Sequence, residues 1–182
     1  MRTDRLVKEY DVEIKWLAFP LHPDTPEAGL TLEELFAGRD FDVSAIRERL
    51  QRVAASLGLP LADRAKIYNS RLAQELAKWA ESEMKGDEFH RAVFRAYFVD
   101  GKNIAVVDEL TGLAESVGLP AGEARQAALS RRYRNAVDAD WKRSRTLGLN
   151  AVPTFLFGNR KIVGFPAYED LAELVGKGRR RQ

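Results

Sequence analysis

The stretch that decides the fold is Ala151-Val152-Pro153-Thr154-Phe155-Leu156-Phe157, followed by Gly158-Asn159 and then Lys161-Ile162-Val163. Both flanks are rich in residues that favour strands, and Gly-Asn between them is typical of a tight turn whose first central residue has a positive φ. The stretch therefore predicts a β-hairpin. Proline cannot donate a hydrogen bond to a sheet, so Pro153 indicates either the start of an edge strand or a cis X–Pro bond. The pattern alone favours the plain strand start.

Two short patterns lie near the beginning of the chain. Leu6, Val7 and Tyr10 form one apolar stripe at helical spacing, which indicates the last turns of a helix. Val12, Ile14 and Trp16 alternate with Glu13 and Lys15, and this alternation predicts a half-buried strand over residues 12–19. A short strand and a lone hairpin cannot each bury a face alone, so we expect both to belong to one sheet.

Between these strands, helical patterns fill almost all of residues 27–147. Thr31 and Glu34 have the spacing of a capping box. A long, unbroken helix is predicted after Pro120, extending to Gly148. A last short helix follows the hairpin. The predicted fold is therefore α/β in three parts, with a strand-containing part at 1–26, a helical insertion at 27–147 and the hairpin with its helix at 148–182.

Composition excludes several classes of function. The 182 residues contain no cysteine, which rules out disulfides, thiolate nucleophiles, iron–sulfur clusters and cysteine-ligated zinc within them. A net charge of +2 gives no case for nucleic-acid binding. No apolar run approaches the length of a membrane span, and the first ten residues lack the hydrophobic region of a signal peptide, so we expect a cytoplasmic protein without membrane contact.

Few residues suggest catalysis. The two histidines, His22 and His90, cannot build a multi-histidine metal site, and we interpret His90 as a packed helix residue. Asp87 and Glu88 suit the first turn of a helix, where carboxylates interact well with the helix dipole. Ser70 and Ser130 lack the surroundings of an activated nucleophile. We therefore predict no catalytic residue and no metal site.

Several motifs resemble the DsbA-like thioredoxin family, and its cytoplasmic FrnE-type branch most of all. The hairpin with Val152-Pro153-Thr154 is similar to the C-terminal half of that fold. The resemblance also covers Trp16 to Asp24 and two helical stretches, 68–73 (YNSRLA) and 86–98 (GDEFHRAVFRAYF), which are similar to that branch's helical insertion.

The resemblance implies a binding role for the residues around the proline. Pro153 would be the family's cis-proline, and Ala151, Val152 and Pro153 would bind substrate, an extended peptide or a small thiol or disulfide compound, through the Val152 backbone. Phe165-Pro166 stand where the family often has Gln-Pro, so this position departs from the family's pattern. Whether the chain forms a homodimer stays open.

The family's Cys-x-x-Cys, at the start of its first long helix, has no counterpart in this sequence. In the family a strand and that helix precede the strand predicted at 12–19, so we expect an incomplete thioredoxin fold. The missing strand would be the central one. Residues 12–19 and 151–157 would then stay unpaired, separated by two strand spacings, roughly 9–10 Å.

Three functional hypotheses follow. The first is a protein of the thiol–disulfide oxidoreductase family, without cofactor, that cannot perform dithiol chemistry with these residues alone. The second is an enzyme similar to the kappa-class transferases and hydroxychromene-carboxylate isomerases, which use glutathione and a serine. The third is a redox-inactive protein that holds a peptide at Val152-Pro153.

Overall fold

The structure, a computed structural model of the chain, describes residues 2–38 and 42–176. It divides into two compact units, one within Met1–Leu21 and Ala139–Gln182, the other within His22–Asp138. The divisions therefore fall after Leu21 and Asp138, whereas the sequence predicts boundaries after residues 26 and 147. No helix of the described residues is long and apolar enough to cross a membrane.

The first unit packs two helices and a hairpin around a small core. Helix α1 spans Arg2–Glu9 and helix α9 spans Tyr168–Val175, and the two are in contact. Of the apolar stripe that the sequence predicts, Leu6 and Tyr10 are buried and Val7 is half-buried. The core contains Leu6, Tyr10, Leu171 and Val175, with Phe155 and Phe157 packed against it.

The predicted hairpin is confirmed. Strand β1 (Thr154–Phe157) pairs antiparallel with strand β2 (Arg160–Val163), so that Thr154 lies opposite Val163. Gly158 turns the chain with a φ of 58°, which costs glycine little because it has no Cβ. Regular pairing begins at Thr154, directly after Pro153, since proline has no N–H to contribute to the ladder.

The strand predicted at residues 12–19 is wrong, because the described residues contain one sheet and it has only β1 and β2. Ala18 is an example of how the backbone of residues 12–19 is bonded instead. Its N–H donates to Asp140 Oδ2 at 3.0 Å, and its carbonyl accepts from Ser144 Oγ at 3.4 Å. An extended segment becomes a strand only when another strand supplies partners, and here helix side chains supply them. Residues 12–19 and 151–157 are therefore unpaired with each other, as predicted.

The second unit is helical. Its elements are α2 (Leu32–Leu35), α3 (Val43–Ser56), α4 (Arg71–Ser82), α5 (Gly86–Phe98), α6 (Val107–Ser116), α7 (Ala121–Ser130) and the beginning of α8 (Arg134–Thr146). The predicted capping box at Thr31 and Glu34 is present at the start of α2. Helices α4 to α7 surround a core whose largest fully buried side chains are Leu76, Trp79, Phe89 and Leu110.

The prediction of a single helix after Pro120 is wrong, because the structure has two helices there, α7 and α8. Arg131 separates them in the left-handed conformation, with φ 53° and ψ 29°. For a residue with a Cβ this conformation costs about 1 kcal/mol. Arg131 also bonds the buried Glu75 through two guanidinium nitrogens, at 2.6 and 2.9 Å, and these charge-assisted bonds offset that cost.

Candidate functional site

The predicted substrate-binding residues lie together on the chain just before β1. Ala151 is half-buried, while Val152 and Pro153 are exposed, Val152 to 46%. The peptide bond between Val152 and Pro153 is cis, the isomer that the resemblance implies. The three residues therefore form a short surface turn leading into the strand.

Two hydrogen bonds fix this turn. The Thr154 hydroxyl donates to the carbonyl of Ala151 at 2.7 Å, which closes the turn across Pro153. The backbone N–H of Gly164, just after β2, donates to the carbonyl of Pro153 at 2.8 Å. Gly164 has a φ of 92°, where residues with a Cβ are strained, so a glycine is required to aim its N–H in this way. Gly164 is a site residue that the sequence analysis missed.

The backbone of Val152, unlike the carbonyls of Ala151 and Pro153, is not bonded within the turn. Among the described residues, neither its N–H nor its C=O has a hydrogen-bond partner. Both are strong hydrogen-bonding groups, and on an exposed turn they are bonded to water until another chain replaces it. Their arrangement suits the addition of an extended peptide by main-chain hydrogen bonds.

The hairpin that follows the turn carries exposed apolar side chains. Side chains alternate between the faces of a sheet, so Leu156 and Val163 lie on the face opposite Phe155 and Phe157, and both are exposed. Phe165, also exposed, carries the guanidinium of Arg2 over its ring at 4.1 Å. The hairpin and the residue after Gly164 therefore present apolar surface in the same stretch of chain as Val152.

Arg2 also fixes the residue after Phe165. Its Nη1 donates to the carbonyl of Pro166 at 2.8 Å, and Pro166 is buried. The Phe165-Pro166 pair is thus held by α1 from the start of the chain. Sequence reasoning gave no signal for this contact, because the two residues are 164 positions apart.

Groups for acid–base or metal chemistry are not part of this turn. Residues 151–166 contain no histidine, aspartate, glutamate or cysteine. The described residues contain no group of three or more acidic, histidine or cysteine side chains placed to hold a metal ion. What residues 151–166 offer is backbone hydrogen bonding and apolar contact.

The histidines and serines have the structural surroundings that the sequence predicts. His90 stacks on Phe94 with ring centroids 4.5 Å apart, and burial lowers the pKa of its imidazole to about 4. Ser70 Oγ accepts from the Gln74 amide, and Ser130 Oγ donates to a carbonyl of its own helix.

The most polar buried cluster of the second unit was missed from sequence. Glu75, 1% exposed, accepts from Arg71 Nε at 2.7 Å as well as from Arg131, and Arg71 also pairs with Asp138 at 2.7 Å. Burial raises the pKa of Glu75, but the hydrogen bonds from Arg131 and Arg71 outweigh it and hold that pKa below its usual range. The sequence does contain an indication of this cluster. Glu75 lies on the apolar face of α4, between Leu72 and Leu76, where a carboxylate needs a partner.

Comparison with known proteins gives relatives over nearly the whole chain. A family model, the DSBA-like thioredoxin domain, matches residues 1–176. The protein named "Uncharacterized protein YwbO" from Bacillus subtilis (strain 168) is 28% identical over 162 residues, which cover 88% of this chain and 80% of that protein.

Solved structures share the fold. A probable DsbA oxidoreductase from Streptomyces coelicolor superposes with a TM-score of 0.85 at 22% identity, over 96% of this chain and 80% of that one. A 2-hydroxychromene-2-carboxylate isomerase superposes with a TM-score of 0.70 at 20% identity, over 93% of this chain and 81% of that one. The hairpin, the turn at Pro153 and the match of the family model agree, and the chain belongs to the DSBA-like thioredoxin domain family.

Proposed function

We propose that the turn at Ala151, Val152 and Pro153 binds an extended peptide, or a small thiol or disulfide compound, and that the chain serves thiol–disulfide exchange. The observation that carries this proposal is the backbone of Val152, an exposed residue whose N–H and C=O have no partner among the described residues. A peptide lying beside Val152 would gain main-chain hydrogen bonds there and apolar contacts at Phe165 and Val163.

The exchange reaction needs a thiolate that the described turn does not supply. In that reaction a thiolate attacks one sulfur of a disulfide, a new S–S bond forms, and the other sulfur leaves as a thiolate. The 182 residues contain no cysteine. The reacting thiols therefore come from outside these residues, and the role of this chain is to hold and orient the substrate.

The finer assignment that we propose is to the FrnE-type branch, in the cytoplasm. It is supported by the residues at 68–73 and 86–98, which resemble that branch's helical insertion. In the structure, residues 68–70 lead into α4, residues 71–73 form its start, and residues 86–98 form the whole of α5.

A pair of variants tests the binding proposal. Val152→Ala shortens the side chain and keeps the backbone N–H, whereas Val152→Pro removes the N–H. With a fluorescent peptide that contains a mixed disulfide, we expect Val152→Ala to bind within about threefold of the unmodified chain and Val152→Pro to lose about tenfold, the effect of one hydrogen bond of about 1.4 kcal/mol. Circular dichroism controls for folding. Equal affinity of both variants would rule out docking through the Val152 N–H.

Insulin reduction tests the chemical half of the proposal. The purified chain should give no turnover with dithiothreitol beyond the uncatalysed rate, because it has no thiol to form the mixed disulfide. Turnover above that rate would contradict this account.

Glutathione binding is the second candidate. The overall likeness to a 2-hydroxychromene-2-carboxylate isomerase favours it, and so does the lack of cysteine. Titration with reduced glutathione by calorimetry tests this candidate, and the fluorescent peptide tests peptide binding at the same turn. Saturable heat at millimolar ligand that disappears in Val152→Pro supports this candidate, and no heat leaves peptide binding as the function.

A further inference from the structure

The guanidinium of Arg2 has no carboxylate partner among the described residues. Its Nη1 donates to the carbonyl of Pro166, and this is the only hydrogen bond of the side chain within the described part of the chain. Arg2 is half-buried, yet its other nitrogens are open to solvent, whereas Nε and Nη1 of Arg64 are buried without a partner. A cation that is partly withdrawn from water and lacks a counter-charge is well suited to bind an anion.

A cation–π contact holds this guanidinium in place. Its Cζ lies over the ring of Phe165, 4.1 Å from the centroid. A guanidinium that lies over a ring keeps the N–H groups at its edge available, and its planar fork fits the two oxygens of a carboxylate. The bond to Pro166 uses one of these N–H groups and leaves others for a ligand.

The acidic side chains near Arg2 in the chain have other partners or are absent. Residues 151–166 contain two cationic residues and no Asp or Glu, a net charge of 2 − 0 = +2. The carboxylate of Asp170 accepts a backbone N–H at the start of α9 at 2.8 Å. On α1 itself, Glu9 pairs with Arg5 at 2.7 Å. The surroundings of Arg2 therefore favour a negatively charged group on a ligand.

Arg2 is close enough to the turn to contact a ligand bound there. Phe165 follows Gly164 in the chain, and the N–H of Gly164 donates to the carbonyl of Pro153. One hydrogen-bonded pair and two peptide links therefore connect Val152 to Phe165, so that their Cα atoms are at most roughly 12 Å apart. Both residues belong to the same compact unit as Arg2. A peptide covers about 3.3 Å per residue when extended, so one bound at Val152 reaches Arg2 within a few residues.

We propose that Arg2 and Phe165 form an anion subsite beside the turn, and that the ligand bound at Val152 is an acidic peptide whose carboxylate is held by Arg2. This inference rests on the proposed function, because it takes the backbone of Val152 as the point of attachment. Two sources share this chemistry. One is a segment of protein chain that contains Asp or Glu, and the other is glutathione, a tripeptide with two free carboxylates.

Two peptides that differ in one residue test the anion subsite. Both carry the same mixed disulfide, and one has Glu where the other has Gln, at each of about four positions on either side of the cysteine. At one of these positions we expect the unmodified chain to bind the Glu peptide about tenfold more tightly, the effect of a charge-assisted hydrogen bond.

Variants of Arg2 separate recognition of charge from packing. Arg2→Gln should remove the preference for Glu, and Arg2→Lys, which keeps the charge but not the fork, should retain part of it. Lys8→Gln is the matched control, since Lys8 is an exposed cation at the other end of α1, and it should leave the preference unchanged. Circular dichroism and urea unfolding confirm that each variant is folded.

Glutathione and its diethyl ester, compared by calorimetry, distinguish the two sources. A preference for the free acid that disappears in Arg2→Gln, without a preference between the peptides, would assign the anion subsite to glutathione.

Three results would overturn the anion subsite. The first is equal binding of the Glu and Gln peptides at every position, together with equal binding of glutathione and its ester. If Val152→Pro still weakens binding in that case, the proposed function stands. The second is an equal loss of both peptides in Arg2→Gln, which would mean that Arg2 only holds Phe165-Pro166. The third is the absence of any binding, which would overturn the proposed function as well.

Discussion

Gly164 donates its backbone N–H to the carbonyl of Pro153 at 2.8 Å, and this bond joins the end of β2 to the turn that precedes β1. The hairpin thereby fixes one end of the turn, and the Thr154 hydroxyl fixes the other end by donating to the carbonyl of Ala151. Val152 lies between these anchored carbonyls, and its own N–H and C=O have no partner among the described residues.

Replacing Gly164 should destabilise the chain through its backbone alone. A Cβ at Gly164 would meet nothing within 4 Å, but the φ of 92° disfavours any residue that has one. We expect Gly164→Ala to lower the free energy of unfolding in urea by about 1–2 kcal/mol. Gly112→Ala is the control, because Gly112 lies inside α6 with open space around it, and it should stabilise by about 0.5–1 kcal/mol. Equal effects of both variants would mean that the backbone of Gly164 is unstrained.

Neutralising Glu75 should destabilise the helical unit strongly. Glu75→Gln keeps the shape of the side chain but removes the negative charge that Arg71 and Arg131 share, so that Arg71 retains Asp138 while Arg131 loses its ion pair with Glu75, and breaking a buried ion pair costs about 3–5 kcal/mol. Arg131 is partly exposed and regains water, so we expect the lower end, about 3 kcal/mol, in urea unfolding. The control Glu115→Gln alters an exposed carboxylate and should change stability by less than about 0.5 kcal/mol. A loss from Glu75→Gln as small as that would mean that the cluster contributes nothing.

The contribution of Glu75 should depend on pH in a defined direction. Its pKa in the folded chain lies below the usual value of 4.5, so the unfolded chain binds the proton first as the pH falls. The stabilisation is therefore complete above pH 4.5 and is lost as the pH falls through the folded pKa. We expect the difference in unfolding free energy between the unmodified chain and Glu75→Gln to be constant from pH 8 to pH 5 and to shrink below about pH 4. A difference that grows on acidification would contradict the ion pairs.

His90 should make the stability of the fold depend on pH in a higher range than Glu75 does. Burial lowers its pKa from 6.5 to about 4, so the unfolded chain takes up the proton first. Stability is present above pH 6.5 and declines as the pH falls toward 4. We expect proton NMR to give a midpoint near pH 4 for the His90 ring, and His90→Leu to flatten the dependence of stability on pH between 6.5 and 4. A midpoint near 6.5 would show that the ring is open to water.

Much of the fold follows from local patterns. The hairpin around Gly158, the capping box at Thr31 and the helix at Tyr168 each depend on residues close together in the chain, and all three are predicted correctly. The strand at 12–19 is predicted wrongly, because strand formation depends on a partner and the backbone of Ala18 is bonded by helix side chains.

The break at Arg131 and the bond from Gly164 are missed for a related reason. A left-handed arginine is maintained by Glu75, which is 56 positions away, and no pattern around Arg131 marks that contact. The turn at Pro153 is recognisable from its own residues, but the bond that fixes it comes from the far end of the hairpin. The sequence thus locates the candidate site without revealing what holds it.

The most direct test of the central claim is the backbone amide of Val152 in an NMR titration. With the ¹⁵N-labelled chain and an unlabelled peptide that carries a mixed disulfide, we predict that the Val152 amide shifts downfield on saturation and is protected from exchange with water, since it then donates to the peptide. The Gly164 amide, already bonded to Pro153, should keep its protection and serves as the internal control. Saturable binding that shifts other amides and leaves the Val152 amide unchanged would contradict the account, and so would the absence of any binding at millimolar peptide.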